Sequence, residues 1–275
     1  MKKILLPFLA AASLLFMAAC SSENASGDDL SVEEILNESI KAMENLTSYS
    51  TVIETKQNMS GADNENYAID ANIEMDLAID PLAFSQKTTM DLGELGDEMS
   101  YSAYFSEEQG YFMEDPMSGG WLKFPDELFG DLVNLSDAQL SPEEQLLPFK
   151  DYISELSVAA EGDYYIIKLK GDGADMEALA DLVSGLAGEG MTESLAGVTI
   201  NELEYEIKID SETYYQKEAT IFMDMSMSVM GEEVNIKQDI HLVLSNFNDM
   251  DDITIPQDVI DNAVELDDAD LFGDF

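Results

Sequence analysis

The side chains able to do chemistry in this chain are few, and their spacing does not gather them. The one histidine, His241, lies in Ile236-Lys237-Gln238-Asp239-Ile240-His241-Leu242-Val243-Leu244. Ile236, Ile240, Leu242 and Leu244 alternate onto one strand face, which turns His241 to the other with Asp239 and Val243. Asp239 is placed to orient an imidazole, but no Gly-x-Ser-x-Gly elbow or other nucleophile motif accompanies it. With 58 Asp and Glu, carboxylate pairs suited to glycoside hydrolysis arise from composition alone. Gly171-Asp172-Gly173 lacks the later glycine and the lysine of a phosphate-binding loop. Asp172–Glu177 and Asp249–Asp252 offer oxygens to calcium, yet neither fits an EF-hand loop, and solvated acidic turns are the simpler reading. Met223, Met225 and Met227 are soft donors for Cu(I). Neighbours on one strand face stand roughly 6.6 Å apart, however, which is awkward for three sulfurs to meet one ion. No catalytic residue, metal site or cofactor is expected, and the chain reads as a non-enzyme.

What remains is burial. Methionine is unbranched and polarisable and adapts to irregular apolar partners. Ile73, Met75, Leu77, Met223, Met225 and Met227 are therefore the candidate lining of a cavity that accepts acyl chains. The same stripe can instead rest on helices at 31–46 and 175–186 and leave no void.

The N-terminus bears on location. Lys2 and Lys3 precede an apolar stretch from Ile4 to Met17, too short and one-sided for a membrane-spanning helix. It ends in Met17-Ala18-Ala19-Cys20, which resembles a bacterial lipobox with Met17 where Leu is usual. In that resemblance Cys20 is lipidated and becomes the mature N-terminus, so residues 1–19 are a signal peptide. Residues 20–29, small and polar, read as a tether. Cys20 is the only cysteine, so its lipidation leaves no disulfide, thiolate metal site or cysteine nucleophile. The chain has 12 basic residues against 58 acidic ones, a net charge of −46, and cleavage of the leader makes it two units more negative. Such a field repels nucleic acid and anionic surfaces. Disorder is excluded, because 45% of residues are hydrophobic and they are patterned. Solubility in a salty or alkaline exterior explains the acidity most simply.

The elements follow from period. Ser31 and Glu34 form a capping-box signature, and Val32, Ile35, Leu36, Ser39, Ile40, Met43 and Leu46 share one helix face. From Tyr49 the period becomes two, and Ile69–Asp80 alternates an Ile-Met-Leu face with an acidic one. Return strands are expected at Phe84–Met90, Met99–Ser106, Tyr111–Glu114 and Trp121–Phe124. Helices are expected at Asp126–Leu135, at Ser141–Tyr152 with Pro142 at its first position, and at Asp175–Leu186. Strands follow at Leu156–Ala160, Tyr164–Lys170, Thr199–Asp210, Tyr214–Met230 and Val234–Phe247, then a short helix at Pro256–Ala263. Ile79-Asp80 precedes Phe84-Ser85-Gln86-Lys87 at the spacing by which Ile209-Asp210 precedes Tyr214-Tyr215-Gln216-Lys217, which reads as one kind of hairpin used twice.

A lipobox, a tether, one N-terminal helix and long amphipathic strands in meanders together resemble the LolA/LppX-like lipoproteins. Ile79–Lys87 and Ile209–Lys217 carry the local likeness. Leu36–Tyr49 and Ile255-Pro256-Gln257-Asp258-Val259 are similar to uncharacterised Met-rich, acidic lipoproteins of Gram-positive bacteria. The resemblance implies an α+β fold: a curved antiparallel sheet, a half-barrel, with helices covering its concave face around an apolar cavity. It places one such domain at 30–264, before an acidic tail at 265–275. The expectation is a monomeric, extracytoplasmic, lipid-anchored protein on the cell membrane, holding a lipid or acyl chain between sheet and helices. A structural or interaction lipoprotein acting through its acidic surface on cell-wall polymers, cations or another protein is the alternative.

Overall fold

The structure, a computed structural model, describes residues 30–61, 66–125, 141–172, 182, 198–229 and 232–266. The chain divides into two units, Met1–Leu30 and Ser31–Phe275, and the second carries the fold described below. It opens with α1 (Val32–Met43), started by the capping box: Ser31 Oγ accepts from the Glu34 N–H, and the Glu34 carboxylate accepts from the Ser31 N–H. Ile35, Leu36, Ser39, Ile40 and Met43 are buried along one face.

Among the described residues twelve strands form one open, curved sheet. They are β1 (Ser48–Ser60), β2 (Asn66–Ile79), β3 (Leu82–Asp91), β4 (Met99–Ser106), β5 (Gly110–Glu114), β6 (Trp121–Lys123), β7 (Ser157–Glu161), β8 (Tyr164–Asp172), β9 (Val198–Asp210), β10 (Gln216–Val229), β11 (Glu232–Ser245) and β12 (Val264–Glu265). Their order is β12-β6-β5-β4-β3-β2-β1-β11-β10-β9-β8-β7. Every pairing is antiparallel except β12 on β6, a parallel contact of two residues. Two meanders, β1–β6 and β7–β11, are thus joined through one seam, β1 against β11, which runs from Ser50↔Ser245 to Ser60↔Asn235.

The period-two pattern is realised across the whole sheet. One apolar row runs Ile73, Ile53, Leu242, Ala219, Ile207, Ile167, Val158 across seven strands. Another runs Tyr49, Leu77, Phe84, Phe105, Tyr111, with Phe84 ring centroids 5.7 Å from Phe105 and 6.1 Å from Tyr111. The opposite face pairs unlike charges across strands: Glu74 with Lys87, Lys168 with Glu206, Lys208 with Glu218, Asp224 with Lys237. On that polar face Phe112 is covered by Ile255 and by Val259 of α2 (Gln257–Asn262), with Tyr104 and Trp121 beside them.

Three sequence expectations change. Residues 141–152 are not one α-helix but turns leading into a 3-10 helix, Leu147–Tyr152. Pro148 sits where an α-helix opened at Ser141 needs an amide, and its ring clashes with the carbonyl one turn back. The two matched hairpins also differ. Ile79 pairs directly with Leu82 around a cis Asp80–Pro81 peptide, a two-residue turn. Asp210 and Gln216 instead bracket five residues, with Asp210 Oδ1 accepting from the N–H groups of Glu212 and Thr213 and from Thr213 Oγ1. Tyr214 there has φ 58, whereas Phe84, at the same spacing, is already inside β3, so equal spacing concealed unequal turns. Third, Glu265, placed by sequence in the tail, pairs with Lys123 in β12. The expected helix at 126–135 and nearly all of that at 175–186 lie outside the described residues. Leu182, which is described, is helical and buried.

Candidate functional site

All six candidate lining residues stand on the apolar face, but register divides them into two groups. Ile73, Met75 and Leu77 belong to β2, and Met223, Met225 and Met227 to β10, with β1 and β11 between. Ile73 is level with Ala219, through Ile53 and Leu242. Met223 is level with Ile69, through Gln238 and Gln57, and Met225 with Tyr67, through Ile236 and Met59. The groups therefore occupy different halves of the face. Leu77 is fully buried and Met225 nearly so, while Ile73, Met75, Met223 and Met227 are half-buried. Among the described residues no group of three or more His, Cys, Asp or Glu could hold a metal ion.

The end of the face at Leu77 is the more enclosed. The 3-10 helix covers the middle of the face instead: the Phe149 ring meets Tyr205 edge-on, centroids 4.7 Å apart, in the row of Ile221 and Ala71 and one row from Met223. Tyr49 and Tyr205 are buried, and burial pushes both phenols well above their ordinary range, Tyr49 further through the Glu143 charge. Glu143 is itself raised, first by partial burial and then by the charges of Glu144 and of Glu44, just past α1. Tyr214 is raised by desolvation, by Tyr165 and by Glu38 of α1.

Sequence reasoning missed the polar atoms within this apolar layer. One row across the face reads Gln86, Met75, Thr51, Leu244. Gln216, at the start of β10, lies at the same end, opposite buried Ile209, where a bulge before Glu218 shifts the register. Gln86 Nε2 donates to Thr88 Oγ1 at 2.9 Å. Thr51 Oγ1, Gln216 Oε1 and Ser39 Oγ of α1 are buried and have no hydrogen-bond partner among the described residues. The repeated Gln-Lys of the two hairpins was the available signal: both glutamines reach the apolar side, although the turns before them differ.

His241 is on the polar face, as alternation requires, opposite Glu54 and Thr220. Its Nδ1 is 3.8 Å from Glu54 and its Nε2 3.9 Å from Glu218, the spacing of loose surface pairs and not of an oriented base. Open clefts also lie on this side, two of them near the β2–β4 strands. One of about 540 Å³ lies between Pro81–Ala83 and the segment Ile253–Ile260. The other, of about 420 Å³, is bordered by Ser50, Ser85, Ser102, Lys87 and Tyr104. Cys20 lies outside the described residues. Among those residues, no helix is long and apolar enough to cross a membrane.

A sequence search of curated proteins found no match. Among solved structures the chain is similar to a LolA superfamily protein from Nitrosomonas europaea, at 8% identity over 84% of this chain and 98% of that one, TM-score 0.24. It is similar to a DUF1329 family protein from Desulfovibrio piger, at 8% identity over 83% and 96%, TM-score 0.26. A putative outer membrane lipoprotein-sorting protein domain from Vibrio parahaemolyticus is 11% identical over 76% and 90%, TM-score 0.25. One family model matches residues 31–264, and the chain belongs to that family, described as a family of unknown function, DUF6612.

Proposed function

We propose that this protein is a lipid-anchored, extracytoplasmic binding protein that holds a hydrophobic ligand against the apolar face of its sheet, without catalysis. The observation that carries the reading is the continuity of that face. Apolar side chains keep register over seven strands, and both candidate groups share the side on which Phe149 packs. In this reading α1 closes the Leu77 end, the 3-10 helix covers the middle of the face, and the methionines of β10 line the other end, where unbranched thioethers suit a variable acyl chain. Cys20, lipidated at the mature N-terminus, holds the domain to the outer side of the cell membrane through residues 20–29. The domain acts as a monomer and leaves nucleic acid alone, because its net charge of −46 repels polyanions.

Native mass spectrometry with solvent extraction tests the ligand. A co-purifying lipid that is lost when Met223 and Met225 are both changed to Glu is expected. A ligand-free protein, from cells in which it reaches the membrane, overturns the carrier reading in favour of one acting through the polar face. Cell fractionation tests the anchor: Cys20→Ala is expected in the soluble extracytoplasmic fraction, and its retention at the membrane counts against lipidation.

A further inference from the structure

On the polar face, two adjacent rows of side chains line one cleft across β1–β4. The first row reads Ser50, Asp76, Ser85, Tyr104, and the second adds Glu74, Lys87 and Ser102. At about 4.8 Å per strand the first row runs about 14 Å from Ser50 to Tyr104, the length of a short run of linked pyranose rings. The cleft volume of about 420 Å³ falls within the range of small-molecule sites, about 300–1,000 Å³.

Its two ends are fixed by packing, and its floor is left free. At the β1 end Asn246 Nδ2 donates to Ser50 Oγ at 3.0 Å, and Ser50 Oγ donates to Asp76 Oδ1 at 2.6 Å. Ser50, 8% exposed, thus holds one carboxylate oxygen and leaves the other to accept. At the β4 end the Tyr104 ring lies 5.6 Å from Trp121, and both pack on the cluster of Phe112, Ile255 and Val259, which makes a firm aromatic wall. Between these ends the side-chain polar atoms of Ser85, Lys87 and Ser102 have no hydrogen-bond or ion-pair partner among the described residues, nor has the Tyr104 hydroxyl.

That arrangement selects by charge and by hydrogen-bond sense. An anionic ligand meets Glu74 and Asp76 in the cleft, Glu114 on the Ser102 N–H and Glu54 one row away, within a chain of net charge −46. A cationic peptide would set an ammonium beside Lys87. An acyl chain would leave the polar floor desolvated and unpaired. A sugar hydroxyl both donates and accepts, so neighbouring hydroxyls can pair with a carboxylate and with an ammonium or serine, while the C–H face of the ring lies on an aromatic wall.

We propose that this cleft binds a short stretch of a polysaccharide that carries no acidic groups, with Tyr104 as the stacking wall, Asp76 as acceptor and Lys87, Ser85 and Ser102 as the facing polar contacts. It stands apart from the hydrophobic-ligand reading, whose residues lie on the opposite face, so either can fail alone.

Trp121 is the only tryptophan and lies against Tyr104, so its fluorescence reports on the cleft. Fluorescence and calorimetry follow titration of the full-length protein with cellotriose, maltotriose and triacetylchitotriose, and with trigalacturonic acid and trilysine. At least one neutral trisaccharide is expected to bind with a Kd of about 1 mM or tighter. Trigalacturonic acid is expected to bind at least about tenfold more weakly. Asp76→Asn keeps the shape at an exposed position and removes the charged acceptor, and should weaken the bound sugar about tenfold. Tyr104→Ala should weaken it about tenfold as well, and if that variant fails to fold Asp76→Asn decides. Asp70→Asn, on the same face of β2 but outside the cleft, should bind as the wild type does. Binding of none of the neutral trisaccharides overturns the proposal, as does binding that Asp76→Asn leaves unchanged or equal affinity for trigalacturonic acid. Binding of trilysine alone overturns it in favour of a cationic partner.

Discussion

Asp210 shows how a single exposed-turn carboxylate is tied to the fold. Desolvation works against its charge. The Thr213 N–H, the Thr213 hydroxyl and the Glu212 N–H outweigh it, and together with Lys217 they hold the carboxyl below its ordinary value. A depressed carboxylate contributes stability above its unfolded pKa of about 3.9, and that contribution is lost as pH falls through the lower folded value. Asp210→Asn keeps one acceptor oxygen and removes the charge. Its urea midpoint is expected to fall short of wild type at pH 7, with the gap closing between about pH 4 and pH 2. A gap of constant size across that range would show that the charge plays no part. His241 is a counterexample at the same scale: the residue most suggestive of chemistry in the sequence has only loose carboxylate neighbours, 3.8 and 3.9 Å away.

At the scale of elements, the covering of the polar face is the sharpest packing feature. Phe112 is 2% exposed beneath Ile255 and Val259, and it is the contact through which α2 and the segment before it are held. Phe112→Ala is expected to cost about 3 kcal/mol in urea unfolding. Proteolysis at 253–266 is expected to precede global unfolding, and simultaneous loss of both would show that α2 is not separately held. Strands were the legible part of the sequence. Ile69–Asp80 and its partners alternate so regularly that the face of each residue follows from its number, and His241 was assigned correctly on that ground alone. Helical content between meanders was less legible, because Pro148 limits 147–152 to 3-10 geometry despite a good opening signal at Ser141 and Pro142. The cavity candidates were chosen as apolar residues, and alternation puts all six on one face. Strand pairing, which sets Met75 and Met223 in different halves, depends on β1 joining β2 to β11 and is not written in either strand. Thr51 and Gln216 were missed because pattern reading takes a polar residue at an apolar position as an interruption of the face, not as part of it.

The whole molecule is a strongly anionic sheet whose few cations are arranged. The 12 basic residues are all lysine, and Lys56, Lys87, Lys168, Lys170, Lys208 and Lys237 stand on the polar face opposite acidic partners. Single pairs of this exposed kind add little, but together they separate carboxylates that would otherwise be neighbours. Self-repulsion at net −46 still opposes compaction, so salt is expected to stabilise. The thermal midpoint should rise between 0.05 and 0.5 M NaCl, and a fall would mean that the lysine pairs outweigh the surplus charge. The β1–β11 seam acts on another axis, time. β1 leaves the ribosome long before its partner β11, since the seam joins Ser50 to Ser245 and Ser60 to Asn235, so half of its hydrogen bonds must wait for almost the entire chain. Such a topology has high contact order and folds slowly. The N-terminal meander spends that interval with the edge of β1 open, and a chaperone that shields one edge strand would find its substrate there.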